Sequence, residues 1–323
     1  SASVALLAYA SSYLKWHYPA AFFMALLNSQ PMGFYSADTL IKTARHLGVE
    51  VLPPCVNASY WDCHLESRGQ GQALRLGLRI VHSLSESAGK RTIELRQARG
   101  AWPNINSFLQ HGRLSRIDVT ALAAANALQC FDIQRRNAIW LAEAAPFQAW
   151  LEDVEATTPF KVETEQEQML SDYQAMGTSL GRHPAALMKS QEWLYPVPIP
   201  QLTLAKDIVS KAARGTLRVF GMVLVRQAPP SAKGMMFITL EDETGFINLV
   251  IRPDTYRQFG ELIDRQSFLC IEGALQRYDE SHSLLVRMVH PPILPIADIV
   301  GLPPKDEAEE WQNTPLFAVR NYM

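Results

Sequence analysis

Gly112, Arg113, Ser115 and Arg116 stand together immediately before an apolar helical pattern running from Val119 to Leu128. A glycine lets backbone approach an anion closely, and a serine ahead of a helix satisfies a free amide of its first turn. Ser83, Lys90 and Arg91, with Ser85 between them, repeat the theme upstream. The chemistry such residues do is anion binding at a helix N-terminus, not bond making. Residues 73–136 hold ten cations (Arg75, Arg79, Lys90, Arg91, Arg96, Arg99, Arg113, Arg116, Arg135, Arg136) against four acids, an excess of six in a chain whose net charge is −2. That local excess predicts a footprint for a polyanion, of which nucleic acid is the commonest.

The elements that must position these residues read as two similar units. Ile80 to Ser85 predicts the end of a helix and a tight polar hairpin, followed by a helix capped by Ser85. Ile105 to His111, the turn Gly112–Ser115 and the helix beyond it form the second unit. Two such units look like a double helix-hairpin-helix domain, in which hairpin amides and a helix N-terminus meet a duplex phosphate with little reading of bases. The first hairpin has Ser83 where that motif usually has glycine, which predicts weak binding there or a packing role only; the second keeps Gly112. The competing reading is an ordinary helical hairpin with a solvated basic face.

A second set of binding candidates follows the stiff segment Tyr195-Pro196-Val197-Pro198-Ile199-Pro200, where the periodicity changes from helical to alternating. Leu217–Val225, Met235–Leu240 and Phe246–Ile251 predict strands, Pro253–Ile263 a short helix, and Phe268–Leu275 and Leu284–Val289 two more strands, with Gly221 and Gly273 where a small barrel bends. This is the order of the oligonucleotide-binding (OB) fold. Single strands are held on such a barrel by stacking aromatics and cations, here Lys233, Phe237, Arg252, Tyr256, Arg277 and Tyr278. Phe237 and Tyr256 could equally face the core. Residues 215–323 carry ten bases against fourteen acids, which fits weak single-strand binding or a turn to protein binding.

Other chemistry finds little support. Cys55, Cys63 and His64 lack the paired spacing of a zinc site, and Glu241-Asp242-Glu243 reads as a solvated turn more readily than as a cation site. No glycine-rich phosphate loop ending in Lys and Ser or Thr occurs, and His17 and His183 each stand beside a proline with no partner that would make them bases. Four cysteines without regular spacing point to a reducing compartment. No apolar run is long enough to cross a membrane, and no signal-peptide pattern is present.

Towards the start, Ser3–Trp16, a segment beginning at Pro19, and Tyr35–Leu47 closed by Gly48 predict three helices, and Val49–Pro54 an extended exit. The phrases Tyr9-Ala10, Tyr13-Leu14-Lys15, His17-Tyr18-Pro19-Ala20, Phe22-Phe23 and Ala25 to Tyr35 closely resemble the end of the fingers region in bacterial C-family DNA polymerases. Asn28 to Tyr35 is most similar to the error-prone branch related to the DNA polymerase III alpha subunit. Gly48–Pro54, Val56-Asn57, Leu74–Leu78 and Leu180-Gly181-Arg182-His183-Pro184 continue the resemblance.

The resemblance implies an α+β multidomain chain: the C-terminal end of helical fingers (1–72), a double helix-hairpin-helix domain (73–145), an acidic helical connector (146–214), a five-stranded OB-fold barrel (215–292) and a tail (293–323). It implies bacterial cytoplasmic DNA synthesis across damaged template. In that arrangement Ser83, Lys90, Arg91, Gly112, Arg113, Ser115 and Arg116 face duplex phosphates, and the barrel candidates face single-stranded template. The catalytic palm and its magnesium would lie before Ser1, so the chain is expected to be inactive alone, with no cofactor of its own. Clamp and accessory mutagenesis proteins are further expected partners, although Gln166–Leu170 is a poor match to a clamp-binding peptide. The alternatives are a docking platform for such proteins and an RNA-binding barrel; the short tail favours the error-prone branch over the replicative one.

Overall fold

The computed structural model describes residues 2–32, 35–69, 71–148, 160–190, 201–211, 215–278, 281–291 and 320–322. Two compact units result, one comprising Ser1–Thr164 with Leu170–Leu180, the other Glu165–Met169 with Gly181–Met323. The prolines at 195–200 and the tail segment 293–319 lie outside the described residues.

The first unit begins with helices α1 (Ala2–His17), α2 (Pro19–Asn28) and α3 (Ala37–His46). Pro19 occupies the first turn of α2, where its missing N–H costs nothing, and Ser36 caps α3 by accepting the Thr39 N–H at 3.2 Å. The extended exit becomes β1 (Val51–Leu52) of a three-stranded sheet completed by β2 (His64–Arg68) and β3 (Gly71–Arg75), in the order β1-β3-β2. Position 73, the expected start of the next domain, falls inside β3. The sheet escaped sequence reading because β2 is nowhere fully buried and so shows no apolar alternation. Phe23, Leu27, Leu40, Ile41, Leu74 and Leu76 form the core between α2, α3 and this sheet.

The helix expected before the first hairpin is a single 3-10 turn at Leu78–Ile80. Helices α4 (Glu86–Arg99), α5 (Ile105–His111) and α6 (Arg116–Ala124) follow expectation, and a further helix, α7 (Arg135–Gln148), was not foreseen. Leu78, Val81, Leu84, Ile93, Trp102, Phe108, Leu122 and Leu128 make their core, joined by Ala175 and Met176 from the end of α8 (Glu165–Met176). Residues 170–180 therefore do more than connect. The buried Arg135 side chain pairs with Asp172, and the His82 N–H donates to the Ala175 carbonyl at 2.8 Å, pinning the first hairpin from behind.

In the second unit β4 (Thr216–Gln227), β5 (Met236–Asp242), β6 (Gly245–Ile251), β7 (Phe268–Tyr278) and β8 (Ser281–His290) run in the order β5-β6-β8-β7-β4, and the β4–β5 pairing closes the barrel. A short helix, α10 (Ile208–Lys211), precedes β4, and between β6 and β7, α11 (Pro253–Arg265) packs against the barrel core. The bends fall near the expected glycines. The ladder shifts register at Glu272/Gly273, where a Cβ on Gly273 would sit 2.6 Å from the Leu285 carbonyl, and at Val223/Val225 just beyond Gly221. A strand unforeseen in the tail, β9 (Arg320–Tyr322), pairs in parallel with β4.

The acidic hairpin is a correction: it is not a solvated turn. Asp242 is fully buried, accepting from the Thr244 and Gly245 amides and the Thr244 hydroxyl with one oxygen and from the Ala205 amide with the other. Helix α9 (Pro184–Lys189) packs on β4 and β5, bringing His183 3.4 Å from Glu241 and Lys189 2.9 Å from Glu243. Two of the three hairpin acids are buried and Lys189 pairs with the third, so the surplus of acids in the barrel sequence overstates its exposed negative surface.

Candidate nucleic-acid interface

Asp118 joins the two hairpins. One carboxylate oxygen accepts the Ser85 amide and hydroxyl, each at 2.9 Å, and the other accepts the Ser115 hydroxyl at 2.5 Å. Ser85 caps α4 through the Ala88 N–H, and Ser115 caps α6 through the Asp118 N–H. The N-termini of α4 and α6 are therefore held side by side through one buried carboxylate. Arg91 adds a second tie, donating to the Arg113 carbonyl at 2.7 Å. Ser83 and Arg116 line one groove of about 580 Å³, so the two hairpins share a surface.

Burial would by itself raise the Asp118 carboxyl, but the hydrogen bonds from Ser115 and Ser85 outweigh it and hold the group below the ordinary aspartate range. Nothing in the sequence alone singles out Asp118 for this role. Its only trace there is an acid three residues after Ser115, in the first turn of α6.

The hairpin turns correct the reading of the glycines. Ser83 adopts φ +63° and Arg113 φ +53°, while Gly112 is right-handed. The left-handed position thus falls on equivalent residues of the two hairpins, each two places before its cap serine, and neither is glycine. Gly112 is required for space instead: a Cβ there would meet the Phe108 carbonyl at 2.6 Å. Ser83→Gly should therefore leave the turn intact and stabilise the chain by about 1 kcal/mol, measurable as a higher urea midpoint, because the αL penalty of serine exceeds the entropy cost of glycine.

What distinguishes the hairpins is the use of their amides. The Ser85 amide is taken by Asp118. The amides of Arg113, Leu114, Ser115, Arg116 and Ile117 have no acceptor among the described residues. The second hairpin therefore presents the freer set of amides, and Arg113 and Arg116 are exposed beside it. Ser115 spends its hydroxyl on Asp118, so its amide is the group left to meet an anion. Lys90 pairs with Glu86 at 2.6 Å on the exposed face of α4.

The basic footprint is narrower than the residue count suggests. Arg75 is buried against Glu66, Arg79 pairs with Asp62, Arg135 with Asp172, and Arg136 with Glu163, all acids outside residues 73–136. Arg96 donates to the Val56 carbonyl and lies over the Tyr60 ring. Arg91, Arg99, Arg113 and Arg116 are the cations left exposed without an acidic partner among the described residues.

On the barrel, Lys233, Phe237 and Arg252 gather at one end of the β5–β6 pair. Phe237 faces outward, 36 % exposed and opposite Val250. The neighbourhood of the loop and the β6 end is fixed by Gly234, whose added Cβ would lie 3.3 Å from Pro253. At the other end Phe246, 47 % exposed, lines a cleft of about 360 Å³ with Asn248, Val209 and His282; Arg277 stands opposite His282 and donates to the Val209 carbonyl. Phe246 was missed, although its alternation with Asn248 and Val250 on β6 signals the outer face.

Tyr256 belongs elsewhere. It packs against the barrel core from α11, and its hydroxyl donates to Asp264 at 2.6 Å, which holds it above the ordinary phenol range. Arg277 and Tyr278 are strand residues closing β7 rather than loop residues, and the Tyr278 side chain lies outside the described residues. No group of three or more His, Cys, Asp or Glu side chains able to hold a metal occurs among the described residues. No helix among the described residues is long and apolar enough to cross a membrane.

Two family models match the chain: a helix-hairpin-helix motif over residues 48–138 and an OB-fold nucleic acid binding domain over residues 217–292. Among curated proteins, an error-prone DNA polymerase of Vibrio parahaemolyticus is 40% identical over 284 residues, covering 87% of this chain and 27% of that protein. One from Azoarcus sp. is 40% identical over 298 residues, covering 89% and 27%. The chain thus spans about a quarter of the length of the curated relatives it matches. Solved structures include a small single-stranded DNA binding protein from Mycoplasma pneumoniae (11% identity, 25% of this chain and 97% of that one, TM-score 0.23). A replication protein A heterotrimer bound to single-stranded DNA gives 18% identity, 27% and 63% coverage and a TM-score of 0.21; at these scores neither likeness carries weight. Over most of its length the chain is a relative of the error-prone DNA polymerases, bearing a helix-hairpin-helix domain followed by an OB-fold domain.

Proposed function

We propose that this chain is the DNA-gripping portion of an error-prone DNA polymerase that copies damaged template in a bacterial cytoplasm. The observation that carries the reading is the pair of helix N-termini fixed by Asp118, with free amides and exposed Arg113 and Arg116 beside the second. A duplex phosphate there receives backbone N–H groups, the positive end of α6 and a guanidinium, none of which reads sequence. This suits a product duplex that must slide. Arg91 and Ser83 act mainly by shaping this surface, and Arg99 adds charge at the far end of α4. Because the chain spans about a quarter of its curated relatives' length, polymerisation and its magnesium are proposed for the rest of the whole enzyme and not for this portion. Clamp and accessory mutagenesis proteins are proposed partners of the whole enzyme.

The barrel holds single-stranded template across β5 and β6, between the Lys233–Phe237–Arg252 end and the Phe246 cleft. Stacking on each aromatic contributes about 1–3 kcal/mol per base. Phe237→Ala with Phe246→Ala should weaken single-strand binding at least tenfold while leaving duplex binding unchanged. Fluorescence anisotropy with single-stranded DNA, duplex and a primer-template junction, each at two salt concentrations, tests the whole reading. Tight, salt-steep binding to duplex or junction is expected. Absence of binding at low salt would overturn it, and preference for RNA over DNA of the same sequence would turn the barrel to the RNA-binding alternative.

A further inference from the structure

We propose that the cleft beside Phe246 is a slot for one unstacked base of a single strand, and that it prefers thymine or uracil, which carry a carbonyl oxygen where cytosine carries an amino group. The slot rests on the barrel being a single-strand site and adds to it a choice among bases. At about 360 Å³ the cleft is of small-molecule size, and Phe246 and Val209, 47 % and 45 % exposed, both line it. An aromatic ring left open to solvent is a stacking platform that any base can use. Phe246 lies on β6, whereas Val209 is brought from outside the five strands by α10. That second wall is tied down at three points. The Ala205 N–H donates to the Asp242 carboxylate at 2.8 Å, the Lys206 N–H to the Thr244 hydroxyl at 3.2 Å, and the Arg277 guanidinium to the Val209 carbonyl at 3.2 Å. The cleft is therefore built before any strand arrives, and little ordering is left to oppose binding.

The choice among bases comes from Asn248. It alternates with Phe246 on the outer face of β6 and lines the same cleft. Its cross-strand partner on β5 is Thr239, whose hydroxyl donates to the Asn248 Oδ1 at 3.3 Å. With the oxygen engaged, the amide turns its NH2 outward, and that donor has no acceptor among the described residues. A carbonyl oxygen on the base accepts from it, while the amino group of cytosine meets it donor to donor. Ser283 and His282 also line the cleft, and each can donate or accept, so they adapt to the rest of the base edge and discriminate little. One hydrogen bond of about 1 kcal/mol gives a preference on the order of fivefold.

The test measures fluorescence anisotropy of the 323-residue chain with oligodeoxyuridine and oligodeoxycytidine of equal length at neutral pH and low salt, and reads the ratio of the two affinities. The native chain should favour deoxyuridine about fivefold. Asn248→Leu should bring the ratio close to one. Thr239→Val should do the same, by releasing the amide to present either face. Asn248→Asp offers only acceptors and should reverse the preference towards deoxycytidine; its added charge weakens both ligands alike and cancels in the ratio. Asn248 is exposed, so its variants are expected to fold, which far-UV circular dichroism checks. If both oligonucleotides bind the native chain equally tightly, or the preference survives in Asn248→Leu, the barrel remains a single-strand site and the slot alone is refuted. If neither binds, the barrel is not a single-strand site and the slot falls with it.

Discussion

Replacing Arg113 and Arg116 together by alanine should lower duplex affinity on the order of 100-fold at low salt and flatten its salt dependence. Each guanidinium makes one charge-assisted contact of about 1.5 kcal/mol, so losing both removes about 3 kcal/mol. Each lost phosphate contact also releases fewer counterions and reduces the slope of log K against log salt by about 0.9. The slope is the more telling quantity, since a folding defect would lower active protein without changing it. Arg113 offers an internal control because of its left-handed backbone. Arg113→Gly removes the charge while relieving the turn, and its carbonyl still accepts from Arg91. If Arg113→Gly weakens duplex binding as much as Arg113→Ala, the effect is charge and not conformation. An unchanged slope in the double variant would remove the second hairpin from the phosphate assignment.

The structure explains why these two cations stand out among ten. A count of charges along the chain treats every arginine in residues 73–136 as available, but Arg75, Arg79, Arg135 and Arg136 are spent on acids brought in by β2, the loop before it and the segment around α8. Those pairings are long-range, and composition does not reveal them. Local signals fared better. The cap serines Ser85 and Ser115, and Pro19 at the start of α2, set helix beginnings that the fold keeps, because capping is decided within one turn of chain. The barrel strands were legible for a similar reason: one face of each is core, so alternation is strong.

What failed to show in the sequence depends on tertiary context. Ser83 was read as a lost glycine, yet the turn forms with serine in the left-handed region, held by the packing of Leu84 and the His82–Ala175 hydrogen bond. The first hairpin differs from the second not by a missing glycine but by the capture of the Ser85 amide by Asp118. Tyr256 and Phe237 were indistinguishable as aromatic letters. Facing the core from α11 and facing outward from β5 are properties of where each element lands on the barrel.

Asp118→Ala should be the most damaging single substitution at the interface, lowering stability by about 3–5 kcal/mol because it strands the Ser85 amide and frees both cap serines at once. Asp118→Asn keeps the shape and one acceptor oxygen and should cost less. The pH dependence separates charge from shape. The folded-state carboxyl is held below its unfolded value, so the folded chain binds fewer protons; the stabilisation is complete above the ordinary aspartate value of about 3.9 and is lost as pH falls through the folded value. Urea unfolding from neutral to acid pH should show that loss in the native chain and a smaller one in Asp118→Asn. For DNA two effects compete, since removing an anion beside a phosphate site favours binding while loosening α4 from α6 disfavours it. Asp118 is buried and its charge is already shared among three donors, so positioning should win and duplex affinity should fall. A rise in duplex affinity for Asp118→Asn would mean instead that this carboxylate occupies the place of a phosphate, and that the first hairpin is held closed by it.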